Sequence, residues 1–394
     1  MATSSFTPEH DVPPRMTRRD ELRRERARVL NLVLGALLLG KPVDSAAQQL
    51  VLEERLCRTC DVTLELVATI LGNDSLGGVS PTNTLVRRPD GQFVSSNWFN
   101  PAQLSVFDST GRFLRAIGRK GSGPGEFQRI ARPYGNGNHI YVVDLGNMRL
   151  TELDSMYRVR SERSLPLRAE GLLPLPDGGY MANAEVNTPE RVGLPLHIVD
   201  SNDRLTRSFG VDTAIYGPGL RGRRMGRVFT GSSAKGLWSG RLTSYTLEQW
   251  SRAGTLLRRL DRRPRWFTPY DRVRRIDPDN APQPVLRAIS LSSDGLLYVL
   301  VSVPAPEWRQ YIQGVRLQPA AAPMYRVTRA DQLYDSMLEV IDVERGEVLV
   351  SRKFDAYLLG FAAAGYVFGY AEDETGAGRY DVWRITFSRA RRTP

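Results

Sequence analysis

The feature of this chain that most limits its fold is a short phrase that the sequence repeats. Each copy contains an alternating strand, a tight polar turn and a second alternating strand. The turns are headed by Asp108, Asp154, Asp200, Ser251 and Asp342, which are 46, 46, 51 and 91 residues apart. Repeats of this length are typical of propellers and solenoids, in which one supersecondary unit packs on the next.

A second pattern, a glycine turn followed by an apolar run, counts the units more completely. It occurs six times, at Gly91, Gly137, Gly178, Gly236, Gly295 and Gly365. Such turns mark chain reversals between paired strands. The pattern predicts six blades, over residues 82–118, 127–167, 168–211, 226–262, 285–354 and 356–388.

The last unit shows only three strands, whereas a strand at 62–70 has no partner near it in the sequence. Pairing this strand with 380–387 completes a four-stranded blade and removes the free edges of an open ring. We therefore predict an all-β, six-bladed β-propeller over 82–388, with four-stranded antiparallel blades and closed by an N-terminal strand. The preceding segment, 48–81, is predicted to hold the closing strand and a disulfide.

The step of 91 residues indicates an insertion rather than a missing blade, because only the hairpin at Gly295 lies within it. The additional residues lie in 263–284 and in 304–335. Long loops on rigid scaffolds often carry function. The second segment is therefore interpreted either as a functional insertion or as a decoration of the scaffold.

Residues 1–47 have the three-part layout of a secretory signal peptide. A basic stretch, 15–28, precedes an apolar run, 29–40, and the small residues Ser45 and Ala47 suit cleavage after position 47. The apolar run is shorter than the ~20 residues of a membrane span. We predict export to the periplasm or beyond, by the general or the twin-arginine route, with no stable span after cleavage. An uncleaved signal anchor is the alternative.

The chain carries 54 Lys and Arg against 43 Asp and Glu, a net charge of +11, and it ends in a basic tail, 389–394. No basic helix or basic aromatic platform stands out, so no nucleic-acid partner is predicted. Arginine supplies nearly all of the positive charge, and its planar fork suits carboxylates and phosphates. A basic surface without a specific ligand is the alternative. A monomer is expected.

The two cysteines, Cys57 and Cys60, follow the leader closely. A zinc site needs further ligands, and His10, His139 and His197 are the only histidines, the first of them in the leader. Haem attachment needs His after the second Cys, and a thioredoxin-like role needs a βαβ unit. In an exported protein the pair is most simply a disulfide.

The stretch Gly118–Phe127, followed by Tyr141–Leu150, resembles an NHL repeat. In that family a Gly-Pro-Gly-x-Phe loop precedes the inner strand, and an Asp-x-x-Asn-x-Arg motif bridges two strands. The resemblance implies scaffold roles for the matching residues, with ligand contact as the alternative for the last three; they are Gly123, Gly125, Phe127, Asp144, Asn147 and Arg149. The wider layout resembles exported six-bladed propeller proteins of bacteria.

Several propellers that this layout resembles are enzymes, including amidating lyases and lactonases, with metal ions on the axis. Two histidines, His139 and His197, cannot build a site of several His ligands, and both are interpreted as ordinary strand residues. No nucleophile elbow or phosphate loop is present, and no catalytic residue is identified. No cofactor is predicted, although an axial calcium ion held by carboxylates stays open. A metal-dependent hydrolase or lyase is therefore the alternative function.

The function favoured by the sequence is extracytoplasmic binding or scaffolding, with a protein or a small anionic ligand as partner. Residues at the beginnings of inner strands are best placed to meet a ligand. The candidates are Arg87, Arg88, Arg132, Tyr134 and Arg287. A ring of arginines would suit an acidic glycan or a peptide carboxylate. The alternative is that each arginine forms a salt bridge with a neighbouring blade.

Overall fold

The computed structural model describes residues 47–389, except for positions 55, 73–78, 98, 187, 211–225, 233–235 and 316–323 and the side chains at 170 and 232. The predicted signal peptide and basic tail thus lie outside the described residues, apart from Ala47 and Arg389. Two short 3-10 helices are present, Trp308–Tyr311 and Ala330–Gln332. No helix in the described ranges has the length and apolar character needed to span a membrane.

Two strands precede the blades, β1 (Gln48–Val51) and β2 (Cys60–Leu71). Blade 1 contains β3 (Leu85–Arg87), β4 (Phe93–Ser96), β5 (Leu104–Phe107) and β6 (Phe113–Ile117). Blade 2 contains β7 (Ile130–Asn136), β8 (His139–Asp144), β9 (Arg149–Leu153) and β10 (Val159–Ser164). Blade 3 contains β11 (Ala169–Pro174), β12 (Tyr180–Ala184), β13 (Leu196–Val199) and β14 (Leu205–Phe209).

Blade 4 contains β15 (Arg227–Ser232), β16 (Gly236–Arg241), β17 (Thr246–Trp250) and β18 (Leu256–Asp261). Blade 5 contains β19 (Val285–Leu291) and β20 (Leu296–Pro304), and its second half follows an inserted hairpin. The hairpin consists of β21 (Ile312–Val315) and β22 (Met324–Val327), and the blade ends with β23 (Tyr334–Asp342) and β24 (Glu347–Phe354). Blade 6 contains β25 (Tyr357–Ala363), β26 (Tyr366–Glu372) and β27 (Gly378–Arg389).

The six blades form a closed ring. Each is an antiparallel sheet, and β2 completes blade 6 by pairing with β27 from Cys60–Arg389 to Leu71–Arg379. The innermost strands, β3, β7, β11, β15, β19 and β25, contact each other in that order, and β25 also contacts β3. The predicted six-bladed propeller and its closure by the N-terminal strand are confirmed. We call the end of the channel where inner strands begin the upper end, and the end where they finish the lower end.

Turn chemistry accounts for both repeated sequence patterns. All six opening glycines have φ between 58° and 89°, a conformation that residues with a Cβ rarely adopt. In the phrase, the heading carboxylate caps its own turn: Asp108 Oδ1 accepts from the backbone N–H of Thr110 at 2.9 Å and of Arg112 at 3.0 Å. Asp154 and Asp200 accept from their turns in the same way. These residues recur because side chains of this kind stabilise tight turns locally.

Two phrase turns place a bulkier residue where others have glycine. Tyr157 and Asp203 have φ of 63° and 62°, which is unfavourable for such side chains. In both cases a contact between the side chain and the preceding blade offsets this backbone cost. The hydroxyl of Tyr157 donates to Gln92 Oε1 at 2.7 Å, and Asp203 forms an ion pair with Arg163 at 2.6 Å. These turns therefore tie blade 2 to blade 1 and blade 3 to blade 2.

The N-terminal segment 48–60, which we call the strap, holds blades 4, 5 and 6 together. The sequence did not indicate this role. β1 pairs in parallel with β18 and makes the sheet of blade 4 five-stranded. The chain then follows β24, where Val348 N donates to Glu53 O at 3.0 Å and Cys57 N donates to Leu349 O at 2.9 Å. Cys57 and Cys60 form the predicted disulfide, immediately before β2 runs along blade 6.

Both insertions lie at the upper end of the channel. The segment 304–335 packs through Trp308 and Leu333 onto the apolar cluster of blades 1 and 6. Its Arg329 bonds to Asp331 at 2.8 Å and reaches Glu372 of blade 6 at 3.4 Å. The guanidinium Nε of Arg309 donates to Pro278 O, in the segment 263–284, at 3.0 Å. The two insertions thus contact each other at the upper end of the channel.

Candidate functional site

Four of the six inner strands share an irregularity at the upper end. The pairing register skips one residue at Ala131 in β7, Glu170 in β11, Arg287 in β19 and Leu359 in β25. A bulge of this kind bends its strand and changes the direction of a side chain, and it is common beside functional sites. Arg287 is the only charged side chain among these four positions that the structure describes.

Arg287 is held in a defined orientation. Its Nε donates to Ser302 Oγ at 2.9 Å, and its Nη2 donates to the hydroxyl of Tyr357. The guanidinium carbon lies 5.2 Å from the ring centre of Tyr357 and 5.6 Å from that of Tyr334, within the range of cation–π attraction. The two rings are stacked with centres 5.5 Å apart. The half-buried guanidinium is therefore fixed in place before any ligand arrives.

Arg132 and Tyr134 lie on β7, the inner strand of blade 2, which is three blades away from β19 around the ring. Arg132 is exposed, one residue beyond the bulge, whereas Tyr134 is directed between blades. The Tyr134 hydroxyl accepts a hydrogen bond from Leu172 N, in β11, at 3.1 Å. Burial raises the pKa of Tyr134, an effect that the charge of Arg132 opposes. Tyr134 is thus a contact between blades 2 and 3, while Arg132 stays available to solvent at the upper end.

Arg87 and Arg88 lie at the lower end, because Arg87 is the last residue of β3 and pairs with Phe93 at the hairpin. The sequence pattern predicts them at the beginning of an inner strand, whereas the structure has them at and directly after its end. The guanidinium of Arg87 lies 4.1 Å from the ring centre of Tyr366 in blade 6. Arg88 is buried, donates to Ser155 O at 2.9 Å and pairs with Asp90 at 3.1 Å.

The predicted set is therefore divided between two ends, with Arg132 and Arg287 at one and Arg87 and Arg88 at the other. Within the described part of the chain, no carboxylate forms an ion pair with Arg87, Arg132 or Arg287. Arg88 pairs only inside its own turn. The alternative, in which each arginine bridges to a carboxylate of the next blade, does not describe these contacts.

The residues of the NHL-like stretch bond to one another. Asp144 is fully buried and accepts from the backbone N–H of Arg129 at 2.8 Å and of Gly146 at 2.9 Å. Asn147 donates to Asp144 and to Gly121 O, and Arg149 donates to the carbonyls of Ser122 and Gly123. Phe127 is fully buried among apolar residues of blades 1 and 2. These contacts position a loop and leave the three polar side chains occupied.

The histidines make ordinary polar contacts. His139 Nδ1 lies 2.6 Å from Glu152 Oε1 at the surface of blade 2. His197 is fully buried, with Nδ1 2.9 Å from Ser208 Oγ and Nε2 3.1 Å from Ala184 O, and burial lowers its pKa. Across the described ranges, no group of three or more His, Cys, Asp or Glu side chains has an arrangement that could hold a metal ion.

A cleft of about 290 Å³ opens at the lower end between blades 4 and 5. Trp238, Asp294, Asp342 and Arg345 are among its lining residues. The charges there neutralise each other in part, since Arg345 lies 3.6 Å from Asp342. The cleft therefore offers less net charge to a ligand than the unpaired guanidinium groups of the upper end.

Sequence reasoning missed the residues that orient Arg287. Ser302, Tyr334 and Tyr357 belong to three different strands, β20, β23 and β25. The first two are in blade 5 and the third is in blade 6. Only Tyr357 had a usable signal, because it is the first residue of an inner strand. The other two could not be assigned without the register of β20 and the position of the insertion.

Comparison with known proteins supports the fold. A family model described as a 6-bladed beta-propeller matches residues 84–211. A solved structure of a DUF4221 family member from Bacteroides vulgatus is 10% identical, with a TM-score of 0.56 over 84% of this chain and 99% of that chain. A protein from Bacteroides fragilis, described as exported, is 10% identical, with a TM-score of 0.52 over 87% and 99%.

A gluconolactonase from Xanthomonas campestris is a more distant structural match, 9% identical, with a TM-score of 0.44 over 82% of this chain and 98% of that chain. A search of curated proteins found no match. At these identities the two Bacteroides structures support the propeller fold and show nothing about activity.

Proposed function

We propose that this protein is an extracytoplasmic binding protein that holds an anionic group of an acidic glycan or a peptide at the upper end of its channel. The observation that carries the proposal is Arg287, a half-buried, oriented guanidinium that forms no ion pair with any described carboxylate. A partly desolvated cation of this kind interacts more strongly with an anion than an exposed one does. Arg132, at the upper end of β7 on the other side of the ring, supplies a second positive charge.

The chemistry of arginine defines the ligand class. A guanidinium has five N–H donors in a planar fork, and Ser302 and Tyr357 each accept from one nitrogen of Arg287. The remaining donors suit the two oxygens of a carboxylate or a phosphate. Tyr334 and Tyr357 keep the fork from rotating, so less side-chain freedom is lost on binding.

Two further elements belong to this proposal. Export is supported by the leader-like layout of residues 1–47 and by the disulfide, because disulfides persist in oxidising compartments. An NHL-type blade is supported by the bonds that Asp144, Asn147 and Arg149 make within the loop of blade 2. N-terminal sequencing of protein recovered from the periplasm tests export, with Gln48 as the expected first residue; an intact leader in the cytoplasm would contradict it.

Calorimetric titration with trigalacturonate, and with a peptide carrying a free carboxylate, tests the binding site. Replacing Arg287 by Gln should weaken binding by about 10- to 100-fold, since a hydrogen bond to a charged group contributes about 1.5–3 kcal/mol. Arg287→Lys should restore little, because lysine keeps the charge but lacks the fork.

The matched control is Arg207→Gln, which removes one positive charge from an exposed position on β14, an outer strand. Its affinity should equal that of the wild type. Equal binding by Arg287→Gln and Arg207→Gln, with both variants folded by circular dichroism, would refute the proposed site.

A further inference from the structure

A second group of arginines lies beside the proposed site. The segment 263–284, which leads directly into β19, carries five exposed arginines: Arg263, Arg265, Arg272, Arg274 and Arg275. The same segment has three aspartates, at positions 271, 277 and 279. Asp277 is occupied, because its Oδ1 accepts from the backbone N–H groups of Asp279 and Asn280 and from the Asn280 amide. The segment therefore presents a positive surface.

The structure fixes the backbone of two of these arginines, Arg272 and Arg274, close to the beginning of β19. Gln283 Oε1 accepts from Arg274 N at 2.7 Å, and Gln283 Nε2 donates to Arg272 O at 3.0 Å. Gln283 precedes Arg287 by four residues, which span at most about 14 Å when extended. We call Arg272, Arg274 and Arg275 the basic rim. Arg275 directly follows Arg274, so the anchoring of this backbone near the beginning of β19 makes the rim continuous with the proposed site.

From this continuity, and resting on the proposed function, we infer that the ligand is a chain-like polyanion, an acidic polysaccharide with carboxylates at regular intervals. One carboxylate binds Arg287, and the following units of the same chain lie along the basic rim. The side chains of Arg272, Arg274 and Arg275 form no ion pair with any carboxylate that the structure describes, although the charge of Arg275 contributes to lowering the pKa of Asp277.

The geometry favours a narrow polymer over a flat anionic surface. Arg287 is half-buried and lies against the buried rings of Tyr334 and Tyr357, whereas the rim arginines are exposed. A lipid surface would meet the exposed rim arginines more readily than the half-buried side chain of Arg287. A single polysaccharide chain is narrower than a bilayer surface and can place one unit against a half-buried group while its other units lie along exposed ones.

Oligomers of different length test the inference. Galacturonate trimer and dodecamer are titrated against the full chain at low and moderate salt. The wild type should bind the dodecamer about tenfold more tightly than the trimer, since several exposed charge contacts each contribute a little. The triple variant Arg272→Gln/Arg274→Gln/Arg275→Gln should lose this advantage and much of its salt dependence, while its affinity for the trimer stays within about twofold.

The control triple variant is Arg112→Gln/Arg158→Gln/Arg345→Gln. These side chains are 81%, 69% and 61% exposed in lower-end turns, so the change in net charge is the same at another place. It should keep the preference for the dodecamer. Equal loss in both triple variants would show a general charge effect and overturn the inference.

Two further outcomes separate this inference from the proposed function. If trimer and dodecamer bind the wild type equally, but Arg287→Gln abolishes both, the site stands and the rim is refuted. If Arg287→Gln binds both oligomers like the wild type, the proposed function fails. Binding to phosphatidylglycerol vesicles that depends on the rim, without binding to the dodecamer, would overturn the polysaccharide in favour of a lipid surface.

Discussion

Closure of the ring makes a specific prediction about Gly111, in the first copy of the repeated phrase. Its φ is 97°, and a Cβ built at this position would lie 2.2 Å from the carbonyl oxygen of Thr69 and 3.1 Å from Ile70 Cγ1. Both residues belong to β2, the closing strand. Gly111→Ala should therefore displace the strand that closes the ring, although the substitution lies in blade 1.

The magnitude follows from two contributions. A left-handed conformation costs alanine about 1–2 kcal/mol relative to glycine, and inserting a methyl group into packed structure costs about 1–3 kcal/mol. Together they destabilise the fold by about 2–5 kcal/mol. Gly137→Ala is the matched control, since Gly137 also has a positive φ, 58°, but no atom lies within 4 Å of its added Cβ. Only the backbone cost applies there.

Thermal scans compare the two variants. With an unfolding entropy of about 2.1 cal/mol/K per residue, a ring of roughly 340 residues loses about 1.4 °C in Tm per kcal/mol. Gly111→Ala should thus fall about 3–7 °C and Gly137→Ala about 1–3 °C.

Hydrogen exchange locates the effect. Amides of β2 and β27 should exchange faster in Gly111→Ala, whereas those of blades 3 and 4 should not, because local openings follow local stability. Equal Tm values for the two variants, or faster exchange that spares β2, would refute the steric contact between blade 1 and the closing strand.

Three other predictions concern stability. Gly125→Val should lower Tm by several degrees, since φ is 71° there and the added Cβ would lie 3.2 Å from Val159; an unchanged Tm contradicts the tight turn. Burial lowers the pKa of His197, so stability is full above its unfolded value of about 6.5 and falls as pH drops below it; urea titrations should show a flatter profile for His197→Gln. The double variant Cys57→Ser/Cys60→Ser should lose only about 1–2 kcal/mol, because the closed loop is very short, and a loss of cooperative unfolding would contradict this.

The blade pattern could be predicted from the sequence because its cause is local. An opening glycine has a positive φ wherever it occurs, and a carboxylate such as that of Asp108 caps a turn only four residues long. Closure by the strand at 62–70 was also predictable, since a three-stranded last unit and an unpartnered first strand complete each other. The strap was not predictable, because β1 is only four residues long and pairs with β18 more than 200 residues away.

The candidate site shows the opposite dependence. Residue type alone marked Arg87 and Arg287 as equivalent, yet β3 has only three residues, so Arg87 reaches the lower end while Arg287 stays at the upper end. The bulge at Arg287 depends on the pairing of β19 with β20. Neither the length of β3 nor the bulge in β19 can be recognised from the residues next to the arginine in the sequence.

By itself, the sequence determined the number of blades, their turns, the closing strand and the cysteine pair, because these depend on backbone conformations and spacings within short segments. The tertiary structure decided which arginine is oriented without an ion pair to any described carboxylate, and which segment lies beside it. Arg287 is surrounded by Ser302, Tyr334 and Tyr357, 15 to 70 residues further along the chain. Only the packing of blades around the ring brings such distant side chains within bonding distance.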